Sequence, residues 1–315
     1  MPSTRRFGFF LVTTLVASTS LFGCKKLISG AVDKAMEDAG GAIAAAMIDG
    51  GLGAMPEGGA GGGKESSLDT IKFKKKDWNV NSSFTNNSNV DVSLDMTKPK
   101  TSSFTSKDTK TAKVDILAAD GKTILKTKVS FSAYSKVETN DGKTKDSTPP
   151  VTGKSYVAEF KDKKIVILDE NRKKVSAKEE KAVKSEVNDI LGKPDPLITA
   201  LPGSPMKVGD SADSLSEALR ELLAEGENEK VELSEPHVTL SKIEMQGSDK
   251  VGVFDMKAKM TFKQGFSMVM DLTGTMTVRE SDGKVTNMTL KGPLTMTGAG
   301  ITATGNVNAT QTRTY

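Results

Sequence analysis

Between Val251 and Thr310 apolar and polar residues alternate almost without a break, and no other feature constrains the fold of this chain as tightly. In "VGVFDMKAKMTF", Phe254, Met256, Ala258, Met260 and Phe262 alternate with Asp255, Lys257, Lys259 and Thr261. "FSMVMDLTGTMTV" repeats the pattern with Phe266, Met268, Met270, Leu272, Met276 and Val278. "TNMTLKGPLTMTG" places Met288, Leu290, Leu294 and Met296 on one side, and "ITATGNVNATQT" sets Ile301, Ala303, Val307 and Ala309 against threonine and asparagine. Successive side chains of a strand point to opposite faces, so these segments predict four antiparallel strands in a meander, one face apolar and the other wet. An apolar face of that size has to be covered.

Period two also governs the region from Leu68 onward. "KVDILAADGKTILKTKVSFSAYSKVE" (113–138) predicts a hairpin, because Asp120 and Gly121 between alternating runs suit the positive backbone angles of a tight turn. Its second arm puts Leu125, Val129, Phe131 and Ala133 on one face. A second hairpin is expected in "KSYVAEFKDKKIVILDENRKKV" (154–175), with Tyr156, Ala158 and Phe160 sharing a face. "NSSFTNNSNVDVSLD" (81–95) is polar and asparagine-rich, which predicts short or edge-like strands.

Two helical patterns interrupt the strands. Ser176 with Glu179 reads as a capping box ahead of the stripe Val183, Val187, Ile190 and Leu191, and Gly192 with Pro194 stops it. Ser214 with Glu217 reads as a second box ahead of Leu215, Ala218, Leu219, Leu222 and Leu223. Helices near 176–191 and 214–225 are therefore expected, and they carry the stripes that can cover the sheet. The predicted fold is mainly β: a curled antiparallel sheet, a half-barrel, with two inserted α-helices packing on its apolar face. A β-sandwich is the alternative. Glycines 252, 274, 292 and 305 inside the strands permit the bends that curling requires.

The residues that catalysis usually draws on are scarce. A single histidine, His237, and a single cysteine leave little from which to build histidine metal sites or catalytic triads. Neither a nucleophile elbow, a phosphate loop nor a zinc spacing is present, so no catalytic residue, metal or cofactor is expected, and the chain reads as non-enzymatic. The clusters "KFKKKD" (72–77) and "KDKK" (161–164) are short and offset by acids, which speaks against nucleic acid as a partner and for solvated strand ends or turns. Methionine is the unusual residue. Met256, Met260, Met268, Met270, Met276, Met288 and Met296, seven of 14, fall on one predicted face. Unbranched and polarisable, methionine suits surfaces that accept varied apolar ligands, and it also fills ordinary cores. With Phe254 and the helical residues Leu219 and Leu222, these methionines form a candidate apolar groove for a hydrophobic or lipid ligand.

The N-terminus explains the lone cysteine. Arg5 and Arg6 precede the apolar run Phe7 to Ser20, about the length of a signal-peptide core and too short to span a bilayer comfortably. "LFGCKK" follows, with Leu21 three residues before Cys24 and Gly23 directly before it. This stretch resembles the bacterial lipoprotein processing signal, which implies cleavage before Cys24 and acylation of its thiol and new amino group. Removing residues 1–23 takes away two arginines and no acids, leaving 42 basic against 40 acidic residues. Residues 24–67 would then hold a lipidated N-terminus, an amphipathic stripe (Ile28, Val32, Met36, Ala39, Ile43 and Met47) and the linker "PEGGAGGGKESS", ahead of a β-rich domain over 68–315. Lys25 stands where enterobacterial lipoproteins of the inner membrane carry aspartate, which implies the periplasmic face of the outer membrane. A lipoprotein signal followed by a curled sheet with helices inserted mid-chain also resembles the half-barrel lipoprotein-carrier superfamily, the Lol-type carriers and their mycobacterial lipid-binding relatives. That resemblance implies a membrane-anchored carrier of hydrophobic ligands. A scaffolding lipoprotein meeting an envelope protein or peptidoglycan is the competing expectation.

Overall fold

The alternating segments join into one antiparallel sheet in the computed structural model, which describes residues 68–98, 101–224, 231–263, 267–298 and 300–315. Its strands are β1 (Ser83–Lys98), β2 (Ser102–Asp120), β3 (Thr123–Asn140), β4 (Lys143–Ser147), β5 (Ser155–Lys161), β6 (Lys164–Asp169), β7 (Val231–Gln246), β8 (Asp249–Lys263), β9 (Ser267–Arg279), β10 (Val285–Gly298) and β11 (Ile301–Thr314). Three helices separate β6 from β7: α1 (Ala177–Val187), α2 (Pro196–Ala200) and α3 (Asp213–Ala224). The spatial order is β6-β5-β3-β2-β1-β11-β10-β9-β8-β7, with β4 pairing β3 off this path. Each half is a meander, and the antiparallel pairing of β1 with β11 fuses the halves. β6 and β7 form opposite edges, so the sheet is open rather than a closed barrel, and it is one sheet rather than the two of a sandwich. The expected signal segment, Cys24, the stripe from Ile28 to Met47 and the expected linker lie outside the described residues.

Three local expectations are corrected. β1 is neither short nor an edge: it runs 16 residues at the centre of the sheet. Its inward positions Phe84, Val90, Val92, Leu94 and Met96 are buried, while outward Asn87 and Asn89 accept hydrogen bonds from Thr111 and Thr109 at 2.8 and 3.1 Å. On β3, register shifts against β2 exchange the faces. Ile124, Val129 and Phe131 are buried, Leu125 is half-buried and Ala133 is exposed. The third correction concerns the helices. α2 lies in a stretch expected to connect two helices; buried Asp195 caps it by accepting from the Leu197 and Ile198 amides at 2.9 and 3.3 Å, with Pro196 in the first turn. α3 begins at Asp213, so Ser214 is inside the helix, and its hydroxyl donates to the Ala200 carbonyl at 2.6 Å instead of capping.

The helices lie on the inner face and divide its apolar residues between two cores. The first unites inward residues of β1 and β7 to β11 with Leu197, Leu201, Met206, Leu215, Ala218 and Leu219. The second unites β2, β3, β5 and β6 with Val183, Val187, Ile190 and Leu191 of the α1 region, and with Ile198 of α2. Ahead of β1, residues 71–78 run as a strap that seals both: Ile71 and Phe73 enter the first core, Trp78 the second, and the intervening lysines stay at the surface. Gly252 accommodates the strap, since a Cβ there would stand 2.7 Å from the Phe73 ring.

Candidate functional site

The structure brings the sequence-predicted groove residues together and then fills the space they enclose. Phe254, Met256 and Met260 of β8, Met268, Met270 and Met276 of β9, and Met288 and Met296 of β10 belong to one cluster, none more than 3% exposed. Leu219 reaches the same cluster from α3, while the Leu222 side chain lies outside the described residues. What was expected as a groove is therefore a covered interior roofed by α3, which packs chiefly on β7. Met96 from β1 and Met206 from the α2–α3 connection join it, so nine of the chain's 14 methionines share this core. The second core holds none. Eleven of its 18 buried residues are valine or isoleucine, whose branched side chains have few rotamers. One sheet thus carries a stiff core and a soft one.

Between the cores runs a band of charge that the sequence reading missed. Asn86, Ser106, Asp108, Glu138, Glu186 and Gln311 are all buried, with Lys110, Tyr134 and Lys136 half-buried among them. Lys110 pairs with Glu186 of α1. Asn86 donates to the other Glu186 oxygen at 3.0 Å and accepts from Gln311 at 2.7 Å. Lys136 lies 2.8 Å from Glu138, and the Lys110 ammonium sits 5.9 Å from the centre of the Tyr134 ring. Burial, together with the charges of Asp108 and Glu186, raises the Tyr134 phenol above its ordinary value.

Asp108 differs from its neighbours. It is 4% exposed, and neither carboxylate oxygen has a hydrogen-bond partner. Burial pushes its carboxyl up to about 6, against the pull of Lys136 and Lys110, and Glu138 adds to the rise. An ionised carboxylate held away from water without donors is costly, so the position is conspicuous. Strand parity could have revealed it. Phe104, Ala112, Val114 and Ile116 point inward on β2, and counting in twos puts Ser106, Asp108 and Lys110 on the same face.

Other polar side chains that could have carried chemistry behave as surface. His237 is exposed on β7, where its Nε2 lies 2.9 Å from the Thr239 hydroxyl. Asp169, Glu170 and Asn171 form the turn after β6, closed by the Lys173 amide donating to Asp169 at 2.7 Å. Among the described residues no group of three or more His, Cys, Asp or Glu is placed to hold a metal ion, and no helix is long and apolar enough to cross a membrane.

No family model matches the chain, and no curated protein matches it. Among solved structures, one described as "Lipid-protein interactions in lipovitellin" is similar over 74% of this chain and 25% of that chain, at 6% identity and a TM-score of 0.31.

Proposed function

We propose that this chain is a non-enzymatic lipoprotein of the bacterial envelope, tethered through acylated Cys24 to the periplasmic face of the outer membrane, and that it binds a hydrophobic ligand between its methionine-rich inner face and α3. The observation that carries the binding half is the asymmetry of the two cores. A sheet that only had to be filled would be expected to use similar side chains throughout. Here the valine- and isoleucine-rich half is built for one packing, while the half with nine methionines can repack around an inserted chain at small rotamer cost. The anchor rests on the processing signal at Leu21 to Cys24, and the flexible linker composition up to Ser67 would give the domain reach from the membrane.

Native mass spectrometry of the full chain, extracted gently from bacterial membranes, tests both halves. The expected spectrum shows a covalent acyl mass on Cys24 and, separately, a lipid-sized adduct released by collisional activation. Met270→Trp, which fills the soft core, should reduce that adduct with the fold retained by circular dichroism. A protein free of any dissociable adduct, with no uptake of a fluorescent fatty acid, would overturn ligand binding in favour of an anchored scaffold. An unmodified Cys24 would overturn the anchor alone.

A further inference from the structure

Resting on the ligand reading above, we propose that Asp108 is the acceptor for the head group of that ligand, and that the ligand is a long-chain amphiphile ending in a primary ammonium. The charges of the inner band pair off and leave one over. Lys110 is held by Glu186 and Lys136 by Glu138, while buried Arg313 at the edge of the band acts on Tyr315, Asp195 and Glu186, so the carboxylate of the band left with neither an ion pair nor a hydrogen bond is Asp108. Its side chain is more than nine-tenths buried and has two empty acceptor oxygens. An ammonium supplies both the missing positive charge and N–H donors for those oxygens. A hydroxyl head would donate but leave the charge uncompensated, and a carboxylate or phosphate head would add a like charge in a poorly hydrated place.

The register leads from this carboxylate into the soft core. Asp108 pairs with Val90 on β1, Val90 with Ala309 on β11, Ala309 with Leu290 on β10, Leu290 with Gly274 on β9, and Gly274 with Met256 on β8. Paired residues of an antiparallel ladder share a face, so this row is one inward-facing path from charge to methionine. From β2 to β9 it crosses four strand spacings, about 19 Å at ~4.8 Å each, which suits a long alkyl tail. The head would sit at the boundary between the cores, with the tail under α3.

The test uses the full chain in lipid nanodiscs and three photoactivatable hexadecyl probes that differ only at the head: amine, carboxylic acid and alcohol. Crosslinks are mapped by peptide mass spectrometry. The amine is expected to label β8–β10 about 10-fold or more above the acid, the scale of a charge-assisted hydrogen bond, and Asp108→Asn should erase that preference. Butylamine in excess should not compete, since the tail is part of the ligand. In the unmutated protein, amine labelling should fall as the pH drops below about 6. Equal labelling of the inner face by all three probes, or an amine preference that survives both Asp108→Asn and acid, would overturn the head-group assignment while leaving an apolar ligand in place. Competition by butylamine would replace the amphiphile by a small free amine. No labelling of inner-face peptides by any probe would sink both proposals together.

Discussion

At the residue scale, Asp108 trades stability for an open acceptor, and the trade has a definite pH signature. Its carboxyl, ordinarily near 3.8, titrates at about 6 in the fold. Between those values the native state binds the proton that the unfolded chain has released, so stability falls as pH rises through the window and stays lower above it. Lys110 and Lys136 oppose this penalty and Glu138 reinforces it, so the balance belongs to the whole band. Asp108→Asn keeps the shape and removes the ionisation. The variant should match the parent below about pH 4 and exceed it by up to about 3 kcal/mol above pH 6, read from urea unfolding across pH. Equal stability at pH 7 would mean that Asp108 is solvated in solution. Gly305 shows the opposite kind of constraint: a Cβ there would come within 1.8 Å of the Ser93 carbonyl oxygen, so the close approach of β11 to β1 depends on having no side chain. Gly274 and Gly292 are crowded in the same way on β9 and β10, so these three strand glycines mark close backbone contact across the sheet.

At the element scale, α1 shows how a local motif read from sequence becomes a joint between layers. The Ser176 hydroxyl accepts from the Glu179 amide and Glu179 reaches back to the Ser176 amide, and the same carboxylate accepts from the Lys154 ammonium and the Tyr156 hydroxyl, at 2.8 and 2.9 Å. Lys154, then Ser176, hold the Glu179 carboxyl down to about 2. A lowered carboxyl contributes above its ordinary value and loses that contribution as pH falls toward the folded one, so the joint weakens from about pH 4.5 downward. Ser176→Ala should cost about 1 kcal/mol at neutral pH, measured by thermal unfolding. An unchanged melting temperature would mean that Lys154 and Tyr156 hold Glu179 without the cap. Motifs of this kind were legible because they need only neighbours in sequence. The meander, the Asp-Gly turn and the apolar face of Tyr156, Ala158 and Phe160 were legible for the same reason. β1 was not, because its asparagines and aspartates are weak strand formers until β2 and β11 supply partners on both sides. Leu125 and Ala133 were misplaced because bulges reset parity and leave no mark in composition. The polar band was hidden because its members come from β1, β2, β3, β11 and α1, and only the register brings them together.

At the scale of the whole molecule, the β1–β11 seam decides whether the soft and stiff cores behave as one unit. Ser83 to Lys98 and Ile301 to Thr314 lie at opposite ends of the folded domain, so their pairing closes the longest loop in the sheet and belongs to the slow part of folding. Beside the seam, β2 reaches both cores, with Phe104 in the first and Ala112, Val114 and Ile116 in the second, and two further elements do the same. The strap at 71–78 places Phe73 in one and Trp78 in the other, and the single turn of α2 sends Leu197 one way and Ile198 the other. Val307 sits in the seam opposite Val92 on one side and Gly292 on the other. Val307→Pro removes a backbone donor from a central strand and leaves its buried acceptor unpaired, which should cost about 1–3 kcal/mol. If the seam couples the cores, the variant should unfold in two transitions where the parent unfolds in one, with the methionine-rich half opening at lower denaturant. Hydrogen exchange would then rise in β8–β10 before β5 and β6. One retained transition, shifted as a whole, would place the coupling in β2, the strap and α2 instead. The ligand proposal depends on which holds: α3 and the soft core have to loosen around an entering chain while β2, β3 and Asp108 stay in register, and the seam is where that independence would have to arise.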